Sequence, residues 1–239
     1  MRLDKYLHDL GFGSRKDIDR LLHHRKVTVD GEYVKKGAVH ISMDSEVRVN
    51  EELLAYEPVV WIMLNKPAGV VSAVKDAQDE TVLDLLPERF AHMRVVPVGR
   101  LDKDTTGLLL LTNDGALAHR IMRPKSEIMK TYVVEYEETL QADAVERCTT
   151  GIDLGDFVTA PARLVLGEAG HCTLSISEGK FHQVKRMLHE LGGVVVGLSR
   201  LAIGRLSLDS QLAPGEWRLL TVDEIDILQQ DARGEKVAP

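Results

Sequence analysis

The chain has 239 residues, a net charge of −7, 44% apolar residues and only 5% aromatic ones. That length suits one medium domain plus a small one, with cores of Leu, Val, Ile and Met. A uniformly basic nucleic-acid binder, a disulfide or zinc scaffold on the two isolated cysteines Cys148 and Cys172, and a membrane span of ~18 apolar residues are all disfavoured.

Residues 1–50 read as a compact unit. Leu3, Leu7 and Leu10 share one face of a short helix that Gly11 can close. Ser14 is a good N-cap for a second helix, with Asp17 in the place of the usual capping-box Glu. Ile18, Leu21 and Leu22 give that helix its apolar side. Arg15, Lys16 and Arg20 lie elsewhere on it, and Arg25 and Lys26 follow its end. VTVDGEYV reads as a hairpin over Asp30-Gly31, because both turn positions need positive φ. EVRV (46–49) adds a strand. Residues 1–40 carry a net charge of +3, so the rest of the chain carries −10. The stretch 51–58 is acidic and ends in Pro58, and it reads as a linker. The N-terminus has no apolar leader, so a cytoplasmic, soluble protein with reduced thiols is expected.

From residue 59 to about 232 the pattern is a second domain. Strands are expected at VVWIML (59–64), RVVPVG (94–99), LLLLT (108–112) and KTYVVEYE (130–137). QADAVERCTTG (141–151) reads as a helix, and PARLVL with CTLSISEG as paired strands. FHQVKRMLHELGG (181–193) is the clearest helix of this half. VVVGLSRL, RLSLD and PGEWRLLT are strands, TVDEIDILQQ is a helix, and 233–239 is a frayed tail. The lack of a strict βαβ rhythm predicts an α+β fold with a largely antiparallel mixed sheet flanked by helices.

The segment VGRLDKDTTGLLLLTNDG (98–115) carries the strongest chemistry. Asp102 and Asp104 lie two apart in a polar loop between Gly99 and Gly107, flanked by Arg100 and Lys103. A carboxylate beside cations stays ionised, and once partly desolvated it can attack an electrophilic sugar carbon. The competing reading is an Asp that ties down a Thr-Thr-Gly turn, and spacing does not choose between the two acids. On 181–193, His182, Lys185, Arg186 and His189 form a cationic side that suits phosphates, a carboxylate or simply solvent. Tyr132 sits on the strand 130–137, where its ring could stack on a base or pack in the core. No phosphate loop, dinucleotide fingerprint, zinc-protease or esterase motif occurs.

Taken together, these segments resemble one family over nearly the whole chain. RLDKYLHDLGFGSRKDIDRLLHHRKVTVDG is similar to an S4 RNA-binding domain. GRLDKDTTGLLLLTNDG resembles the active-site motif of pseudouridine synthases, and KTY, EGKFHQVKRM and LAIGRLSLDSQLAPGEWRLLT match further motifs of the branch acting on ribosomal RNA. The HQVKRM form points to the small-subunit rRNA (RsuA) type. The resemblance implies that Asp102 is the nucleophile, that Tyr132 stacks on the target uracil and that Lys185 pairs with the catalytic aspartate. It implies only a loop-shaping part for Asp104. It implies RNA contacts for Arg100, His182 and Arg186 in the catalytic domain, and for Arg15, Lys16, Arg20, Arg25 and Lys26 in the S4-like unit.

The implied reaction breaks the C1′–N1 bond of a uridine, turns the base and rejoins it through C5. It adds and removes nothing, so no cofactor and no metal are expected. The expected partner is 16S rRNA or a small-subunit assembly intermediate, with no membrane, no nucleotide cofactor and a monomeric enzyme. Three alternatives stand beside it. The first is a synthase acting on large-subunit 23S rRNA. The second is a non-catalytic RNA-binding assembly factor, which the intact Asp102, Tyr132 and Lys185 set argues against. The third is a two-carboxylate glycosidase, which lacks an obvious partner acid.

Overall fold

The computed structural model describes residues 1–42, 44–54 and 59–234. The chain divides into two compact units, one of residues 1–60 with 86–95, the other of 61–85 with the remainder from 96.

In the first unit, α1 (Leu3–Asp9) and α2 (Arg15–His23) pack on a small sheet around Leu3, Leu7, Ile18, Leu22, Val27 and Val47. The expected capping box is present: the Ser14 hydroxyl accepts from the Asp17 amide, and the Ser14 amide donates to the Asp17 carboxylate at 3.0 Å. β1 (Val27–Val29) and β2 (Glu32–Tyr33) form the predicted hairpin, with φ of 50° at Asp30 and 84° at Gly31. β3 (Val47–Val49) pairs with β1. The linker reading fails at its start. Asn50 and Glu51 form a tight turn with positive φ, and β4 (Glu52–Leu53) returns along β3. A glutamate and a leucine can form an exposed edge strand because the turn before them fixes the register, and the acidity of the segment masks it. The rest of that stretch, 55–58, lies outside the described residues. Residues 86–95 carry α3 (Arg89–His92), for which the sequence offers no clear periodicity.

The second unit is built on a sheet of nine strands among the described residues. They are β5 (Trp61–Lys66), β6 (Val96–Pro97), β7 (Thr106–Thr112), β8 (Lys130–Glu137), β9 (Arg163–Leu166), β10 (His171–Ile176), β11 (Val194–Ile203), β12 (Leu206–Ser207) and β13 (Trp217–Leu219). The main path runs β13-β5-β7-β11-β8-β10-β9, with β6 on β7 and β12 on β11. Among the described residues every pairing is antiparallel except β7 with β11. The expected α+β class and largely antiparallel sheet are met. Around the sheet lie α4 (Gly115–Met122), α5 (Ala144–Thr150), α6 (Gln183–Glu190) and α7 (Val222–Arg233). One core joins Trp61, Met63, Leu108 and Leu110 of the sheet to Leu117 and Ile121 of α4 and Leu228 and Ala232 of α7.

Three local departures from the expected elements have physical causes. α4 falls in the stretch between the strands 108–112 and 130–137, where no element is expected: the Asp114 side chain accepts from the Leu117 amide and caps a helix that begins on a glycine. α6 starts two residues later than its apolar periodicity suggests, because His182 is left-handed at φ 48°. Of the tail expected over 233–239, Arg233 still belongs to α7 and Gly234 caps it at φ 76°, and 235–239 lie outside the described residues.

Candidate active site

The parallel pairing of β7 with β11 places the polar loop. Gly107, at φ 96°, opposes Arg200, and a Cβ there would collide with the Arg200 carbonyl oxygen. Only glycine lets β7 approach β11 so closely, and residues 98–105 emerge directly before that point.

The loop is tied down by groups behind it. Lys66, at the end of β5, is fully buried. Its Nζ donates to the carbonyl oxygens of Thr105 (2.8 Å), Pro67 (2.9 Å) and Lys103 (3.3 Å). Burial pushes its ammonium down to about 8, against the pull of Asp104 and Asp102. The Ser72 hydroxyl donates to the Leu101 carbonyl at 2.9 Å and accepts from the Leu101 amide at 3.0 Å. The Gly69 amide reaches the Lys103 carbonyl at 2.8 Å, and the Thr105 amide closes the turn onto the Asp102 carbonyl at 3.1 Å. Lys66 and Ser72 are not among the residues that the sequence singles out. The available signal is a lysine ending a strand whose first four residues are apolar and buried.

The structure gathers five of the expected site residues on one cavity: Arg100, Asp102, Tyr132, His182 and Lys185. Asp102 comes from the loop and Tyr132 from β8. Lys185 comes from the first turn of α6, and His182 is the residue before that helix. The side chain of Asp102 is about one-third exposed, with Nε2 of His182 at 3.6 Å and Nζ of Lys185 at 3.7 Å. Lys185 makes its short contacts elsewhere, at 2.7 Å to each carboxylate oxygen of Asp104. That pair holds the Asp104 carboxyl below the usual carboxylate range. The pairing expected of Lys185 with Asp102 alone is therefore a shared one, with Asp104 the nearer partner. Asp104, expected only to shape the loop, carries the ion pair.

Asp102 lies on the wall between two cavities. The inner one, of about 60 Å³ and walled by the buried Tyr132, Ile176 and Val184, is lined also by Leu101, Thr105 and Leu198 beside the polar residues already named. The Tyr132 ring in its wall is 7% exposed. The outer one, of about 440 Å³, shares Arg100, Leu101, Asp102, Lys180 and His182 with it and adds Ser72, Lys103 and Phe181. Arg100 is exposed and forms no ion pair among the described residues. Lys103 pairs with Asp79 at 2.6 Å.

The remaining expected residues lie elsewhere. Arg186 pairs with Asp156 and donates to the Leu154 carbonyl at 2.9 Å, so it braces the 151–160 loop rather than lining the Asp102 cavity. Arg15, Lys16, Arg20, Arg25 and Lys26 are all exposed on the first unit. Among the described residues no helix is long and apolar enough to cross a membrane.

Comparison with known proteins shows the family of the chain. Residues 60–190 match the family described as RNA pseudouridylate synthase, and residues 1–52 match the S4 domain. The chain is 42% identical over 236 residues to an uncharacterized RNA pseudouridine synthase of Bacillus subtilis, covering 96% of this chain and 99% of that one. It is 42% identical to the ribosomal small subunit pseudouridine synthase A of Yersinia pestis, over 94% of this chain and 97% of the relative. The Escherichia coli protein of the same name is 41% identical, over 94% and 98%. A crystal structure described as a pseudouridylate synthase, 39% identical, superposes with a TM-score of 0.68 and covers 95% of this chain and 99% of the other.

Proposed function

Because the chain belongs to the RNA pseudouridylate synthase family and carries an S4 domain in front, we propose that it isomerises one uridine of small-subunit (16S) ribosomal RNA to pseudouridine in the cytoplasm, with Asp102 as the nucleophile. The relatives named for the ribosomal small subunit, each aligned over nearly their full length, support the choice of RNA.

The observation that carries the choice of Asp102 over Asp104 is the unequal sharing of Lys185. Asp104 is turned to Lys185 by two 2.7 Å contacts and does not line the cavity that Tyr132 walls. Asp102 accepts no side-chain hydrogen bond among the described residues, yet Lys185 and His182 stand within 4 Å of it. It is close to the Lys185 ammonium and still able to reach a substrate.

A uridine swung out of its stack enters the inner cavity, which widens beyond its about 60 Å³ to admit the base, and lies against Tyr132. Asp102 then attacks C1′ as the C1′–N1 bond breaks, and the uracil turns while the apolar walls of Ile176 and Leu198 keep it from leaving. C5 bonds to C1′ as the bond from C1′ to Asp102 breaks and frees the carboxylate, C5 gives up its proton and N1 gains one, so the product is an isomer of the substrate. Phosphates flanking the target meet Arg100, and the five exposed cations of the S4 domain add affinity elsewhere on the RNA.

Tritium release from 16S rRNA labelled at uracil C5 tests the reading. The wild type should release tritium from that RNA and not from 23S rRNA, and Asp102→Asn should release none. Release from 23S alone would transfer the substrate to the large subunit, and full activity of Asp102→Asn would sink the nucleophile.

A further inference from the structure

Phe181 stands out among the side chains around Asp102. Phe90 is buried, Phe12 and Phe157 are half-buried, and Phe181 is 75% exposed. A lone exposed apolar residue is ordinary on a protein surface. Three features set this one apart. It lines the outer cavity together with Asp102 and Arg100. Its ring is stacked on His182, with centroids 3.8 Å apart and planes inclined by 18°. His182 in turn is held in the left-handed region at φ 48°, a costly conformation for a non-glycine residue. That conformation interrupts the helix expected over 181–193, so Phe181 stands before α6 rather than on it.

The neighbouring aromatic ring is differently employed. Phe157 has Lys180 Nζ 3.4 Å from its ring centroid and the Arg186 guanidinium 5.3 Å away. No such cation contact is made by Phe181 among the described residues. It offers an open aromatic surface with an imidazole behind it, beside a carboxylate that reacts with a nucleotide.

We propose that Phe181, backed by His182, is a stacking platform for the nucleobase next to the target uridine in the RNA chain. The proposal rests on the reading of the Asp102 site as the pseudouridine-forming centre. The target base occupies the inner cavity against Tyr132. Its chain neighbour then lies over the outer cavity, where Arg100 can meet the intervening phosphate. Stacking is indifferent to base identity, because every base has a π-face. Phe181 therefore supplies grip on an unpaired flanking base and helps keep the RNA opened around the target. It is a binding residue, and its loss should appear in KM.

The experiment uses the full chain and 16S rRNA transcript labelled at uracil C5, with wild type, Phe181→Ala, Phe181→Leu and Phe181→Trp. The Ala and Leu variants should lose roughly 5- to 150-fold in kcat/KM, the span of one base–aromatic stack, through KM. The Trp variant should stay close to wild type. Dissociation constants for the same transcript should weaken in the same order. Substitutions at so exposed a position should leave the fold intact, and circular dichroism of each variant verifies it. Equal affinity of wild type and Phe181→Ala overturns the platform. So does full rescue by Leu, which supplies apolar cover without a π-face, or a loss confined to kcat, which marks a structural effect through His182. The binding arm is independent of turnover, so a wild type that binds tightly but releases no tritium refutes the catalytic reading alone.

Discussion

Lys185 sits 2.7 Å from both carboxylate oxygens of Asp104 and 3.7 Å from the nearer oxygen of Asp102. One cation thus serves two acids of unequal exposure, since the Asp104 side chain is 73% exposed and that of Asp102 is 32%. Solvent screens the Asp104 pair, so its removal should cost little. Asp104→Asn is expected to lower kcat/KM by no more than about fivefold, the scale of an exposed ion pair. Asp102→Asn should lower it by at least about a thousandfold, as loss of a nucleophile does elsewhere. Single-turnover tritium release on both variants separates the roles, and equal losses would contradict the assignment.

Lys66 holds the Asp102 loop by its main chain and also attracts the Asp104 and Asp102 carboxylates. Lys66→Met takes the Nζ donor from the Pro67 and Thr105 carbonyl oxygens, while that of Lys103 keeps the Gly69 amide, a cost of about 1–3 kcal/mol at a buried site. The variant is expected to lose stability in urea unfolding and to lose kcat more than RNA affinity, because the displaced loop carries the nucleophile.

Gly107→Ala should be among the most damaging single changes in the catalytic unit. The new Cβ meets the Arg200 carbonyl and forces an L-residue to φ 96°. A loss of about 2 kcal/mol or more is expected, with the parallel seam opened. Hydrogen exchange along β7 and β11 should show it. An unaltered exchange pattern would mean the seam tolerates the extra atom.

Stability should depend on pH in an opposed way. The ammonium groups of Lys66 and Lys130 are each pushed down to about 8 by burial, from an ordinary 10.5. Above pH 8 the folded chain therefore binds fewer protons than the unfolded one, so these groups make stability rise with pH until about 10.5. The buried thiols of Cys148 and Cys172 are raised from 9.0 to about 11, and from about pH 9 they act in the other direction. Urea unfolding should show stability rising between about pH 8 and 9, and Lys130→Met should flatten that rise.

The S4 domain offers an electrostatic test. Replacing exposed Lys16 and Arg20 by Gln should weaken RNA binding. Its salt dependence should become shallower by about 0.7–0.9 in log K per decade of salt for each phosphate no longer neutralised. Turnover of bound RNA should not change. An unaltered salt slope would remove these residues from the RNA-binding surface.

The strands are legible in the sequence wherever burial alternates or runs continuously, as in β5, β7 and β8. The capping box at Ser14 and the Asp30-Gly31 turn are legible because their chemistry is local. The inner cavity is legible through Asp102, Tyr132 and Lys185, which fall in recognisable segments. What escapes such a reading depends on partners distant in sequence. Lys66 takes its meaning from carbonyls at 103 and 105, Ser72 from Leu101, and the role of Asp104 from a lysine 81 residues away. α4 is hidden by a start on glycine, and β4 by being an edge strand with little apolar character.

The anchorage of the Asp102 loop has an evolutionary consequence. Lys66 and Ser72 grip main-chain carbonyl and amide groups, so the clamp is blind to the side chains it holds in place. An outward-facing side chain of this loop with no ion pair among the described residues, such as Arg100, can be exchanged to suit one RNA contour or another without loosening the clamp. The nucleophile keeps its address while the surrounding surface is rewritten.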